Sequence, residues 1–208
     1  MALSLFPDGP EFASIRSLLT DSNLSRDGTS PGDDCFLSEC GDRIQATSVD
    51  TSLEGVHYRL DWIEPAGALE KAVLGSLSDL NACGANASSL FLQLGFRSDW
   101  DQKEIRNLGK RLRTLSRTLG FQIAGGDMVQ AGSRSFFGLT VVGMVAGKPL
   151  LRSGAEPGQS LYVSGTLGDS AGGLHCLSSP ATTKPQQKQA IAFYHSPRPP
   201  FALGPTLS

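Results

Sequence analysis

Long apolar runs, a basic leader segment and closely spaced cysteines are all missing from this chain of 208 residues. No run reaches the roughly 20 apolar residues that a membrane helix needs. The N-terminus also lacks a basic segment followed by a long apolar stretch, which a secretory signal would have. We therefore expect no membrane partner and a cytoplasmic location.

The chain also has no excess of positive charge, since the formal net charge is −2. No general basic field is present that would attract nucleic acid, so we expect no nucleic-acid partner. The four cysteines show no Cys-x-x-Cys spacing, which argues against a zinc knuckle or a thioredoxin-like redox pair. We expect them to be small interior thiols.

Two common nucleotide-binding motifs are absent as well. The glycine-rich segment Gly165–Gly173 resembles a strand-to-helix turn, but no Gly-Lys-Ser/Thr follows as in a Walker A motif. It does not match the Rossmann fingerprint either. The segment therefore carries neither of these two nucleotide-binding motifs.

Hydrophobic periodicity predicts an α+β fold, with a mainly antiparallel sheet and helices on one face. We expect an N-terminal α+β domain over residues 1–147, which binds metal and nucleotide and dimerises, and the start of an incomplete α/β domain over 148–208. The predicted helices are Pro10–Thr20, Pro65–Gly84, Trp100–Leu119 and about Asp169–Leu177. The predicted strands are Cys35–Glu39, Arg43–Val49, Ser88–Phe96, Phe121–Ala124, Ser135–Ala146 and Leu161–Ser164.

Aspartates are the most informative residues that the chain does contain. Hard carboxylate oxygens spread over loops and one helix are typical of proteins that hold Mg²⁺ against a polyphosphate. The segments that carry them are Gly32–Asp34, Ser48–Thr51, Leu77–Leu80, Gly125–Asp127 and Gly168–Ser170.

Each of these segments also has an ordinary structural interpretation. Gly32–Asp34 holds either a metal ligand or a turn. Asp50 is predicted just past a strand end, a common place for functional groups. Asp79 is unusual inside an apolar helix, where burial demands a cation or several donors, although a surface Asp79 could bond back to Ser76.

The remaining candidates are a glycine pair, an arginine and a histidine. Gly125–Asp127 is either a turn or a site where the backbone approaches an anion closely. Arg152 lies past the predicted hinge Gly147–Pro149 and could bind phosphate oxygens or form a rim salt bridge. His57 either faces the same cleft as Asp50 or is structural.

Six motifs in this order closely resemble the thiamine-monophosphate kinase family. The resemblance covers nearly the whole chain, from about Phe12 to Leu207. The motifs are Gly32–Asp34, Asp50–Tyr58, Leu77–Ala85, Gly125–Asp127, Arg152–Ala155 and Gly165–Ser170.

The resemblance implies a homodimeric kinase that transfers the ATP γ-phosphoryl group to thiamine monophosphate with several Mg²⁺ ions. It also implies that the active site lies near the interface where the two N-terminal sheets pair. It implies that His57 contacts the substrate, and that Gly126, Asp127 and Arg152 contact the nucleotide. The implied metal ligands are Asp34, Ser48, Val49, Asp50, Asp79 and Asp127.

The chain departs from the family pattern in two ways. Val49 stands where the family usually has threonine, so only its backbone carbonyl could reach a metal. The chain also stops before a later Leu-Ser-Asp-Gly segment of the family, which we interpret as truncation. The alternatives are a non-catalytic dimerising module that binds nucleotide, and another ATP-dependent enzyme of the aminoimidazole ribonucleotide synthetase-like superfamily.

Overall fold

A computed structural model describes residues 10–19, 32–179 and 185–208 of the chain. None of the helices within these ranges is long and apolar enough to cross a membrane. The helices are α1 (Pro10–Leu19), α2 (Pro65–Ala82), α3 (Gln102–Leu119), α4 (Asp169–Ser178), α5 (Pro185–His195) and α6 (Leu203–Leu207). The strands are β1 (Phe36–Cys40), β2 (Arg43–Leu53), β3 (Ala85–Phe96), β4 (Gln122–Gln130) and β5 (Phe136–Val145).

The strands form one sheet in the order β1-β2-β5-β3-β4. Every neighbouring pair is antiparallel except β3 and β4, which run parallel. Helix α2 packs on β2, β3 and β5, and α3 packs on α2. The α+β fold with a mainly antiparallel sheet is therefore confirmed.

Helix α2 is the central helix of the domain, as the sequence predicts. Pro65 occupies its first turn, where the missing N–H has no intrahelical partner to lose. Beyond its end, Gly84 adopts a left-handed conformation with φ of 79°. One side of the helix is fully buried against the sheet, including Leu69, Val73 and Leu80. This side fixes the helix on the strands that carry the candidate site.

Two predicted boundaries are wrong because sheet pairing extends further than the local pattern suggests. Asp50 lies inside β2 rather than past its end, since β2 pairs with β5 as far as Leu53. The predicted turn Gly125–Asp127 lies inside β4, which pairs with β3 through Gln130. The pairing with β3 outweighs the turn preference of the two glycines.

Two further expectations also fail. The predicted strand Leu161–Ser164 is irregular and exposed, because no strand of the described chain pairs with it. Cys35 and Cys83 are buried as expected, but Cys40 is exposed at the end of β1.

The C-terminal residues pack back on the turn between α2 and β3. The Gly204 N–H donates to Asn81 Oδ1 at 3.0 Å, and a Cβ at Gly204 would lie 1.7 Å from the Asn81 carbonyl oxygen. The Ser208 hydroxyl bonds to both Gly147 and Lys148 at 2.9 Å. The predicted domain boundary after residue 147 stays a prediction.

Candidate functional site

The candidate site is centred on Asp79, which α2 carries on the side that faces β2. Its Oδ2 accepts a hydrogen bond from the Ser48 hydroxyl at 2.8 Å. Ser48 is buried, and Asp79 is only partly exposed. The alternative of a surface aspartate bonded to Ser76 is not observed, because the Ser76 hydroxyl donates to the Ala72 carbonyl.

Two further carboxylates lie close enough to Asp79 to affect its charge. Burial raises the pKa of Asp79, and the negative charges of Asp34 and Asp50 raise it further. The Ser48 hydrogen bond and the positive charge of Arg152 act in the opposite direction. The ionised form of Asp79 is therefore disfavoured in this fold unless a cation is nearby.

Arg152 contacts this acidic cluster from the segment that follows β5. Its backbone N–H donates to Asp33 Oδ2 at 3.0 Å, and its guanidinium pairs with Asp34. Asp34 raises the pKa of Arg152, which holds the guanidinium in its charged form. Half of the side chain is exposed, at 50%. Arg152 thus combines the predicted rim salt bridge with a position beside the aspartates.

Two predicted ligands, Val49 and Asp127, lie on the other face of the sheet. Asp50 pairs with the buried Leu139, so it lies on the face that α2 covers. Asp127 pairs with the exposed Gln93 instead. Because side chains alternate along a strand, Val49 and Asp127 point away from the helices. Asp127 is also three strands from Asp50, about 14 Å at about 4.8 Å per spacing. Within one chain, the structure does not bring Asp127 to the Asp79 cluster.

Gly126 has a structural reason to be glycine. A Cβ at this position would lie 1.8 Å from the Leu92 carbonyl oxygen on β3. Any side chain there would break the pairing of β3 with β4. Packing alone therefore explains the glycine at position 126, and its predicted nucleotide contact stays a prediction.

The oxygen atoms near Asp79 are of the chemical type that binds a magnesium ion. Carboxylate oxygens are its preferred protein ligands, and a cation would offset the burial and the mutual repulsion that raise the pKa of Asp79. Among the residues that the structure describes, no three acidic, histidine or cysteine side chains converge on one point. Magnesium commonly takes only one or two carboxylates, with waters and substrate phosphates completing its shell.

His57 lies in a tight turn after β2, which we call the His57 turn (Leu53–Tyr58). The His57 N–H donates to the Leu53 carbonyl at 2.9 Å, and the Leu53 N–H donates back to His57 Nδ1 at 3.0 Å. Gly55 has φ of 84°, which glycine adopts without strain. The imidazole is exposed, yet the backbone around it is fixed.

Glu54 is a functional candidate that no sequence pattern identifies. Its carboxylate accepts from Arg97 at 2.7 Å and from the Ser135 N–H and hydroxyl at 2.8 Å each. Burial acts to raise the pKa of Glu54, but the hydrogen bonds from Ser135 and Arg97 outweigh it and lower the pKa. The Ser135 partner lies 81 residues away, so only the folded chain shows this contact.

Lys71 and Tyr194 are two more neighbours of the His57 turn that the sequence does not reveal. Lys71 Nζ donates to the His57 carbonyl at 3.4 Å and lies 3.4 Å from the centre of the Tyr194 ring. The Tyr194 hydroxyl reaches the same carbonyl at 3.5 Å. Burial and the charge of Lys71 lower the pKa of the adjacent His195. Helix α5 therefore packs beside the His57 turn.

Comparison with known proteins gives the family. Residues 32–145 match the model of the AIR synthase related protein, N-terminal domain. This chain belongs to that family. The matched range contains every strand of the sheet and the aspartates of both faces. Arg152 and the C-terminal helices lie beyond it.

Individual relatives in the family are thiamine-monophosphate kinases. The Bacillus subtilis enzyme is 29% identical over 178 residues, which cover 83% of this chain and 55% of the relative. The Escherichia coli enzyme is 38% identical over 150 residues, covering 71% of this chain and 45% of the relative. The chain therefore spans about half the length of these relatives.

A solved structure extends the similarity of fold to the whole chain. AaThiL complexed with AMPPCP and TMP superposes with a TM-score of 0.82 at 22% identity, covering 100% of this chain and 64% of that one. At this identity the match supports the fold. The predicted resemblance to thiamine-monophosphate kinases is confirmed by the relatives.

Replacement of Asp79 by asparagine tests the electrostatic description of the site. Asp79→Asn removes a charge that the fold disfavours and keeps an oxygen for the Ser48 hydroxyl, so we expect a higher melting temperature. For a chain of this size, each kcal/mol corresponds to about 2–4 °C. The measurement is thermal unfolding at neutral pH with a chelator present.

The matched control is Asp42→Asn, since Asp42 lies in the exposed turn between β1 and β2. This control should leave the melting temperature unchanged. A lower melting temperature for Asp79→Asn would show that the carboxylate stabilises the metal-free fold, contrary to its raised pKa.

Proposed function

We propose that this chain carries the metal- and nucleotide-binding half of a thiamine-monophosphate kinase, which transfers a phosphoryl group from ATP to thiamine monophosphate. The observation that supports this most is the half-buried Asp79 beside Asp34 and Asp50, with Arg152 paired at its edge. This arrangement is unfavourable in isolation, but it suits a site that receives a cation and an anion together.

Asp34, Asp50 and Asp79 are the residues that would hold magnesium, with no more than two of them on any one ion. Ser48 would keep Asp79 in place through its hydrogen bond. When bound, Mg²⁺ neutralises charge on the ATP phosphates. Arg152 would release Asp34 and offer its guanidinium to a phosphate oxygen, since a planar fork of donors suits that geometry. Val49 and Asp127 would act from the opposite face of the sheet, on a separate ion or phosphate.

The protein supplies position and charge rather than a nucleophile in this proposal. Phosphoryl transfer depends mainly on alignment of the two substrates and on stabilisation of the charge that they share. The acceptor is the phosphate of thiamine monophosphate, and His57 is the residue that we assign to it. Lys71 donates to the His57 carbonyl, and Glu54 accepts from Arg97 at the start of the same turn.

The direct test is thiamine diphosphate formation by the purified chain with Mg²⁺, ATP and thiamine monophosphate. We expect turnover by the wild type and loss of at least about tenfold in Asp127→Asn, because a lost metal ligand removes charge stabilisation from the transition state. The Asp42→Asn variant serves as the control, because it leaves the charges at the site unchanged. Absence of turnover in the wild type would overturn catalysis by this chain and favour a non-catalytic module that binds nucleotide.

A second variant separates the two substrates. His57→Ala should weaken thiamine monophosphate by about tenfold, the value of one charge-assisted hydrogen bond, and leave a non-hydrolysable ATP analogue nearly unaffected. Isothermal titration with each ligand gives both affinities. Equal weakening of the two would remove His57 from the substrate site.

We also propose the homodimer that the family resemblance implies, with a second copy of the chain covering β4. Every residue of β4 is exposed, and its outer edge lies at the end of the sheet. The groove beside it, of about 460 Å³, is lined by apolar residues that include Leu94, Leu112 and Met128. An open apolar edge strand is a surface that proteins generally cover.

Sedimentation velocity tests this homodimer. Met128→Glu places a charge on the exposed apolar part of β4, so we expect a shift from dimer to monomer and a weakening of association by at least about tenfold. Leu174→Glu is the control, because Leu174 is similarly exposed at 42% but lies on α4. A monomeric wild type, or a dimer that both variants leave intact, would exclude β4 as the interface.

A further inference from the structure

The His57 turn is fastened to the sheet by one buried serine. The Glu54 N–H donates to the Ser135 carbonyl at 3.0 Å, while the Glu54 carboxylate accepts from both donors of Ser135. Four residues later, the Tyr58 hydroxyl meets the Ser135 hydroxyl at 2.8 Å. Ser135 and Tyr58 are 0% and 2% exposed. Both ends of the turn are therefore held by the same buried group.

Glu54 is the residue that joins this serine to a second strand. The other carboxylate oxygen of Glu54 binds Arg97, which directly follows β3. The guanidinium of Arg97 also pairs with Asp99 at 2.7 Å. The Glu54 side chain is only 13% exposed. One partly buried carboxylate thus connects the end of β2 with the residues flanking β3 and β5. Loss of this charge would leave the Ser135 donors and the Arg97 guanidinium partly unsatisfied.

The anchored turn also determines the tautomer of His57. A backbone N–H can only donate, so His57 Nδ1 must accept the hydrogen bond from Leu53. In the neutral ring the proton then resides on Nε2. Within the described part of the chain, Nε2 has no hydrogen-bond partner, and the residue is exposed. The ring therefore presents a single N–H donor to solvent.

We infer that Glu54 is a positioning residue that fixes the His57 turn and thereby holds His57 as the Nε2–H tautomer, a preformed donor for the phosphate of the acceptor substrate. This inference rests on the proposed function for the identity of the substrate. The locked tautomer itself depends only on the contacts of the turn. A donor that is already oriented avoids the entropy cost of ordering a mobile imidazole when the ligand binds.

Nitrogen NMR of the histidine side chains tests the locked tautomer directly. In the wild type at a pH where His57 is neutral, we expect the His57 ring to show a protonated Nε2 and an unprotonated Nδ1. Glu54→Gln keeps the size of the side chain but removes its charge, so we expect a mixture of both tautomers. Asp99→Asn is the matched control, because it also removes a carboxylate from Arg97 but leaves the turn untouched.

Ligand binding to the same three proteins tests the role in recognition. We expect Glu54→Gln to weaken thiamine monophosphate by about tenfold and a non-hydrolysable ATP analogue by less than about twofold, since only the acceptor contacts the turn. Asp99→Asn should leave both affinities unchanged. A merely structural role would weaken the two ligands together.

The two readouts separate the possible failures. A His57 ring that keeps its single tautomer in Glu54→Gln overturns the positioning role, whatever the affinities. A tautomer that changes as expected, in a protein whose wild type binds no thiamine monophosphate, supports the positioning role and rejects the proposed substrate. Equal loss of both ligands in Glu54→Gln overturns the role in substrate recognition.

Discussion

The packing of α2 on the sheet is the constraint on which the rest of the structure depends. Its buried side, with Leu69, Val73 and Leu80, holds the helix against β2, β3 and β5. Lys71 and Asp79 are eight residues apart on this helix, about 12 Å at about 1.5 Å per residue. Lys71 reaches the His57 turn and Asp79 reaches Ser48. The helix thus sets the distance between the acidic cluster and the turn.

The acidic cluster has an energetic cost that packing must offset. Asp79 is partly buried beside two carboxylates, while the only described arginine that pairs with this cluster, Arg152, is half exposed. Such an arrangement lowers the stability of the metal-free fold. At functional sites, proteins commonly keep features that lower the stability of the fold. The cost is consistent with a site that reaches its favourable state only when a cation is present.

Much of the fold follows from local patterns, but the site depends on distant contacts. Pro65 and the apolar spacing of α2 suffice to predict that helix, and an aspartate inside it marks Asp79 as unusual. Gly125–Asp127 suggests a turn, yet the backbone of β3 makes it a strand, because Gly126 fits against Leu92 where no other residue would. The faces of Asp50 and Asp127 follow only from strand register. Glu54 finds its partners 43 and 81 residues away, beyond any local pattern.

The contact of α5 with the His57 turn links two parts of the chain thermodynamically. The His57 carbonyl faces both Lys71 from α2 and Tyr194 from α5, so the conformation of the turn and the docking of α5 are not independent. Coupling of this kind is reciprocal. A ligand that favours this conformation of the turn would also favour the packed position of α5, to the same degree. A change that removes the Tyr194 contact would therefore alter the surroundings of the turn as well as the packing of the helix.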